Sequence, residues 1–155
     1  MLIGVISDTH GLLRPEALVA LAEVEHILHA GDVGQPGILD ELRKIAPVTA
    51  IRGNVDVAGA CAELPDTDVV ELAGRLFYLV HSVHDLDINP KVAGVAVVVS
   101  GHSHKPSVET KQGVMYLNPG SAGPRRFALP ITVALVTAGN DGISARIIDL
   151  ISDRS

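Results

Sequence analysis

Seven side chains able to bind a divalent cation fall in five short clusters. Asp8 and His10 lie in SDTHG, Asp32 in GD, Asn54 in RGNVD, His81 in HS, and His102 and His104 in SGHSHKP. Two Asp, one Asn and four His form a mixed oxygen and nitrogen set without a thiolate. Such donors suit Mn²⁺, Zn²⁺, Fe or Ni²⁺, and are too rich in nitrogen for a Ca²⁺ or Mg²⁺ cage. A single catalytic zinc needs only three protein ligands. Seven candidates are therefore too many for one ion, and they suit two if one carboxylate bridges.

These clusters share a position relative to the apolar pattern. Each follows one of five short runs: LIGVI (2–6), HILHA (26–30), VTAI (48–51), LFYLV (76–80) and VAVVV (95–99). Unbroken runs of this length, rich in β-branched residues, read as strands buried on both faces. Each strand then delivers a metal-capable group at its C-terminal end, the edge where open α/β sheets bind ligands. A helix is expected from Pro15 to about residue 23, with proline in its first turn. A second is expected over about 36–46, with Ile38, Leu39, Leu42 and Ile45 on one face and Pro47 beyond it. After residue 106, SVETK, VMYLN, ITVALVTA and ISARIIDL read as successive strands separated by turns at Gln112-Gly113 and Asn140-Asp141-Gly142.

The 155 residues are expected to form one domain, 1–155, of mixed α/β type with no linker or repeat. Hydrophobic residues make up 47% and charged residues 19%, a globular composition. Aromatic residues are 3%, which speaks against a platform for stacking bases. A net charge of −6 speaks against an extended nucleic-acid surface, although bound metal could still attract a small phosphate ester. The single Cys61 excludes an intrachain disulfide framework and fits a reducing compartment. The start, MLIGVISD, lacks a basic leader, and the apolar stretch at 92–99 is too short to cross a bilayer. A soluble, cytoplasmic protein is expected, with self-association possible. His26 and His29, inside a strand, are expected to be structural, and His84 to sit on a loop rim.

In order, Asp8-x-His10, Gly31-Asp32, Gly53-Asn54-x-Asp56, His81 and Gly101-His102-x-His104 resemble the signature of the calcineurin-like metallophosphoesterases. Length and the NPGSAGPRR segment (118–126) make the chain similar to the small prokaryotic phosphodiesterases of that superfamily. The resemblance implies a four-layer α/β/β/α sandwich of two mixed sheets flanked by helices. It also implies one ion on Asp8, His10, Asp32 and His104, and a second on Asp32, Asn54, His81 and His102, with Asp32 bridging. Mn²⁺ is the first expectation for both ions.

The activity implied is hydrolysis of a small phosphodiester by a hydroxide bridging the two ions, with these seven residues catalytic. Asn54, Ser121 and Arg125 are expected beside the substrate phosphate, and Asp56 behind a ligand histidine, accepting its hydrogen bond. Two departures from the pattern stand out. Val55 replaces a histidine that serves the leaving group in many members, and Ser82 replaces a common glycine. The alternatives are phosphomonoester hydrolysis, or a scaffold like the family's retromer subunit; the intact ligand set favours an enzyme.

Overall fold

The structure is a computed structural model and describes residues 1–151. In chain order its strands and helices are β1 (Leu2–Ile6), α1 (Pro15–Ala20), β2 (His26–His29), α2 (Pro36–Arg43), β3 (Val48–Ala50), α3 (Gly59–Ala62), β4 (Thr67–Leu72), β5 (Arg75–Val80), α4 (Pro90–Ala93), β6 (Val95–Val99), β7 (Ser107–Lys111), β8 (Val114–Asn118), β9 (Thr132–Gly139) and β10 (Gly142–Asp149). They form two five-stranded mixed sheets, ordered β10-β9-β1-β2-β3 and β4-β5-β6-β8-β7.

Alternation along each strand divides its side chains between two cores. Ile3 and Val5 of β1 and Leu28 of β2 point between the sheets, where they meet Phe77, Leu79, Val97, Val99 and Leu117. Ile6 and Ile27 point outward, beneath Ala17 and Leu21 near α1 and Ile38, Leu39 and Leu42 of α2. All of these are buried, at roughly 1.5–3 kcal/mol for each large aliphatic side chain. The inter-sheet layer fixes one sheet over the other, and the two helices close the outer face of the first.

The fourth layer is thin. The outer face of the second sheet, with Val80, Val95, Val98 and Val114 buried, is packed by Leu86 and Ile88 from the loop after β5. That loop holds a single 3₁₀ turn, Val83–Asp85, and the four-residue α4 follows it. The sandwich is as expected, with less helix on this side than the four-layer description implies.

Two helix ends and one strand differ from the sequence expectation. α1 ends at Ala20 and α2 at Arg43, each about three residues early, and the chain continues in looser turns. β4 was not expected. Its sequence TDVVEL carries two acids and lies at a sheet edge with alternate residues exposed, so no apolar run marks it. Acidic residues on an edge strand discourage pairing with another chain.

What matters for chemistry is where strands end. β1, β2 and β3 are parallel, with Ile6 opposite His29 and His29 opposite Ala50. β5, β6 and β8 are also parallel, with Leu79 opposite Val99 and Val99 opposite Leu117. The loops that follow these six strands therefore emerge at matching heights within each sheet. Among the described residues, no helix is long and apolar enough to cross a membrane.

Candidate metal centre

The loops leave their strands through an unusual backbone. Asp8 (φ 55°), His10 (47°), Asp32 (56°), His102 (70°) and His104 (63°) all adopt left-handed conformations. They are five of the eight non-glycine residues with positive φ among those described. A left-handed turn costs a residue with a Cβ roughly 1–2 kcal/mol, so such outliers point to function when they cluster. Motif glycines supply room at the same places. A Cβ on Gly53 would run into Asp32, and one on Gly101 would run into Ser7 and Asp8.

Five candidates converge. His10 Nε2 lies 3.7 Å from Asp8 Oδ1 and 3.5 Å from Asp32 Oδ2. His81 Nε2 lies 3.8 Å from Asp8 Oδ1 and 3.2 Å from Asp32 Oδ2. His104 Nε2 is 3.5 Å from Asp8 Oδ1. Two sets of donors, Asp8–His10–His104 and Asp8–Asp32–His81, each fall within 4.8 Å of one another. Two donors bound about 2.1 Å from a shared ion stand roughly 3.0–3.4 Å apart at ordinary coordination angles. The observed spacings are close to that range and mostly too long for a hydrogen bond.

Three of the polar atoms facing this cluster lack hydrogen-bond partners: Asp8 Oδ1, His10 Nε2 and His81 Nε2 are buried and unpaired. An unpaired buried polar atom costs about 1–3 kcal/mol, so three together fit a cation better than an empty polar pocket. The opposite atoms are fixed. Asp8 Oδ2 accepts from Ser7 Oγ (2.7 Å) and from the His102 N–H (3.1 Å). Asp32 Oδ1 accepts from the Val55 N–H at 3.0 Å. His81 Nδ1 lies 2.7 Å from the Ala30 carbonyl, which can only accept. The Nδ1 proton is therefore placed, and in the neutral ring Nε2 keeps its lone pair for a metal.

Electrostatics agree with a cation-binding role. Burial alone would raise the pKa of Asp32, but the adjacent His81, the Val55 N–H and the nearby His10 hold it well below the usual carboxylate range. Burial opposes protonation of His81, yet contact with Asp32, the Ala30 carbonyl and Asp8 raises its pKa. His104 is lowered, chiefly by burial, with Arg126 and His10 adding repulsion. An ionised Asp32 and a neutral His104 are forms a metal takes, whereas on His81 an ion would have to displace the proton that the carboxylates favour.

The other candidates lie farther out or act differently. His102 is exposed, and its ring stands edge-on to His81 at a centroid distance of 5.2 Å. Asn54 is exposed and lines a cavity of about 700 Å³ together with His81. Asp56 does not accept from a histidine as expected. It is buried and takes three backbone N–H groups, from Val33 (3.1 Å), Gly34 (3.0 Å) and Gly53 (2.9 Å), tying the Asp32 loop to the Asn54 loop.

Ser121, expected beside the substrate, is 3% exposed, and its hydroxyl donates to the Asp8 carbonyl at 3.1 Å. It supports the Asp8 loop from beneath and is not open to a ligand. Arg125 is exposed, and no hydrogen bond or ion pair among the described residues holds it to the site. Its neighbour Arg126 is the one that bears on His104, a distinction that adjacent arginines in one sequence segment cannot reveal. Val55 presents its side chain outward, 47% exposed, while its backbone serves Asp32. His29 is fully buried: Nδ1 accepts from the Gly31 N–H (3.1 Å), so Nε2 carries the proton that faces Thr9 Oγ1 (3.1 Å). His26 contacts Thr49 Oγ1 at 2.8 Å.

Two stacked mixed sheets with a buried Asp–His cluster at their strand ends make an α/β protein with a site that could hold a metal ion. Residues 1–141 match the calcineurin-like phosphoesterase superfamily domain, and the chain belongs to that family. A probable metallophosphoesterase of Methanothermobacter thermautotrophicus is 37% identical over 147 residues, covering 87% of this chain and 85% of that protein. A phosphodiesterase of Methanocaldococcus jannaschii is 28% identical over 139 residues, covering 77% and 83%. Among solved structures, an archaeal phosphodiesterase has a TM-score of 0.80 at 25% identity, covering 96% of this chain and 99% of that one. Zinc-bound Vps29 from Entamoeba histolytica shares the fold, with a TM-score of 0.73 at 21% identity over 97% and 100% of the two chains.

Proposed function

We propose that the chain is a phosphodiesterase that works with two divalent ions, Mn²⁺ first among them. The observation that carries this is the group of buried, unpaired donors around Asp8 Oδ1 and Asp32 Oδ2. Asp8, His10, Asp32 and His104 would hold one ion, and Asp32, Asn54, His81 and His102 the other. Asp32 Oδ2 has His10 on one side at 3.5 Å and His81 on the other at 3.2 Å, which suits a bridge. Bound there, two divalent ions supply hydroxide at neutral pH and share the charge that builds on the phosphoryl oxygens.

The chain's own residues contribute orientation. The Val55 N–H and the Ser7 hydroxyl each hold one carboxylate oxygen, so the other faces the centre. The Ala30 carbonyl fixes His81 in the tautomer that leaves Nε2 bare. With valine at position 55, no side chain there donates a proton to the departing oxygen, and such a donor typically gives about 10²–10⁴-fold. Diesters with good leaving groups should therefore be preferred.

The homologous phosphodiesterase supports a diester over a monoester. The fold shared with Vps29 fits a scaffold equally well, and the intact donor set favours the enzyme. The test is hydrolysis of bis(4-nitrophenyl) phosphate and of 4-nitrophenyl phosphate by protein reconstituted with Mn²⁺, with metal content measured alongside. Diester turnover that falls in both Asp32→Asn and His104→Ala is expected. A monoester preference replaces this reading with the phosphomonoesterase. Turnover of neither ester leaves the scaffold.

A further inference from the structure

Behind the centre lies a buried polar pair that the proposed chemistry does not use. Thr9 separates Asp8 from His10, and His29 ends β2 three residues before Asp32. Both are fully buried. The Thr9 hydroxyl lies 2.8 Å from the Val33 carbonyl, which can only accept, so the hydroxyl donates there. Its oxygen then accepts from His29 Nε2 at 3.1 Å. The other ring nitrogen, Nδ1, accepts from the Gly31 N–H at 3.1 Å. One neutral tautomer, with the proton on Nε2, gives every nitrogen and oxygen of the two side chains a partner.

The path of these bonds is specific to the ligands. It starts at Gly31, immediately before Asp32, and ends at Val33, immediately after it. Its middle is Thr9, the one residue between Asp8 and His10. The same two loops are paired along their backbones. Gly31 accepts from the Asp8 N–H (3.0 Å), Asp32 from the His10 N–H (2.9 Å) and Val33 from the Gly11 N–H (2.9 Å). Asp8, His10 and Asp32 are all left-handed along this stretch, at φ 55°, 47° and 56°. Residues with a Cβ keep such conformations only where their surroundings over-determine them. An imidazole and a hydroxyl are costly to bury, and an aliphatic pair that merely filled this volume would need none of these bonds.

We propose that Thr9 and His29 are positioning residues, a hydrogen-bonded brace that sets the placement of Asp8, His10 and Asp32 and so the affinity for the tighter ion. The inference rests on the metal centre of the proposed phosphodiesterase, and it adds two residues that touch neither metal nor substrate.

The experiment is a calorimetric Mn²⁺ titration of the metal-free full chain and its variants, at a temperature where all are folded. Thr9→Val keeps the shape of the side chain and removes the hydroxyl. It should weaken the tighter ion by about 10–100-fold, and Thr9→Ser, which keeps the hydroxyl, should restore most of that affinity. His29→Asn can still accept from Gly31 but is too short to reach Thr9, and it should lose affinity as Thr9→Val does. Val136→Ala, a change in the inter-sheet core where β9 lies opposite Ile3, reports the effect of lost stability alone. It should bind Mn²⁺ as the wild type does. Wild-type affinity in Thr9→Val, no rescue by Thr9→Ser, or an equal loss in Val136→Ala overturns the brace. Should Thr9→Val not fold, His29→Asn set against Val136→Ala makes the same comparison. Diester turnover is scored separately. A wild type that binds Mn²⁺ without hydrolysing a diester sinks the phosphodiesterase reading, and the affinities still decide the brace. A wild type that binds no Mn²⁺ overturns both.

Discussion

The two halves of the centre are built to different standards. On the first sheet, Asp8, His10 and Asp32 are held by short loops in strained conformations, with nearly every other polar atom around them paired. On the far side, Asn54 and His102 are exposed and look onto an open cavity. Only His81 there is deeply buried, pinned by Ala30. A donor whose orientation is already fixed loses little freedom when an ion arrives, whereas an exposed side chain must be ordered at a cost of about 0.5–1.5 kcal/mol. The inner position should therefore bind its metal more tightly than the outer one. The outer position has more room for whatever the substrate brings.

Substitution tests that contrast directly. Asp8→Asn removes the carboxylate oxygen that faces three imidazoles, and diester hydrolysis should fall by about 10³-fold without recovery in excess metal. Full activity in added Mn²⁺ would show that the inner half is no better built than the outer.

The next largest effect is on stability and concerns the scaffold under the inner half. Burial depresses the pKa of His29 to about 4, against the opposing pull of Asp8 and Asp56. Because the folded value lies below the ordinary 6.5, the unfolded chain takes up this proton first as pH falls. The stability present above pH 6.5 should decline by about 3 kcal/mol on the way to pH 4. Denaturant unfolding of metal-free protein across this range measures it, and His29→Asn should flatten the slope. A wild-type profile that is already flat would mean that His29 is not held neutral.

His102→Ala should cost about tenfold at limiting metal and much less in excess, since it weakens an exposed ligand while leaving the backbone N–H to Asp8. A loss as large and as resistant to metal as that of Asp8→Asn would erase the contrast between the halves. The smallest change is expected from Val55→His. It should make the dependence of rate on leaving-group pKa shallower across an aryl phosphodiester series, by a few-fold at the poorest leaving group. An unchanged slope would mean that this position does not reach the departing oxygen.

Much of this is legible in the sequence. The strands that carry the centre are apolar on both faces, so they stand out as continuous runs, and their ends mark the loops. The parts that were not legible share a cause. β4 is half exposed and acidic, so its identity comes from pairing with β5 and not from its own pattern. Asp56 and Ser121 were assigned to the right neighbourhood but the wrong partners. A short polar side chain in a loop can bind a ligand, a histidine or a backbone amide, and sequence does not rank these. Here the backbone won at both positions. The acidic lining of the cavity beside His81 was invisible for another reason: Asp66, Asp85 and Asp87 are brought beside Asn54 only when the two sheets stack.

The left-handed residues have a consequence for anyone wishing to make this protein more robust. Glycine at positions 10, 102 or 104 would relieve backbone strain of about 1–2 kcal/mol each, and a screen for heat resistance would reward those changes. The same substitutions delete imidazoles from the centre. Selection for thermal tolerance alone should therefore drift toward a sturdier, metal-free sandwich, and only a screen that also scores catalysis would retain these histidines.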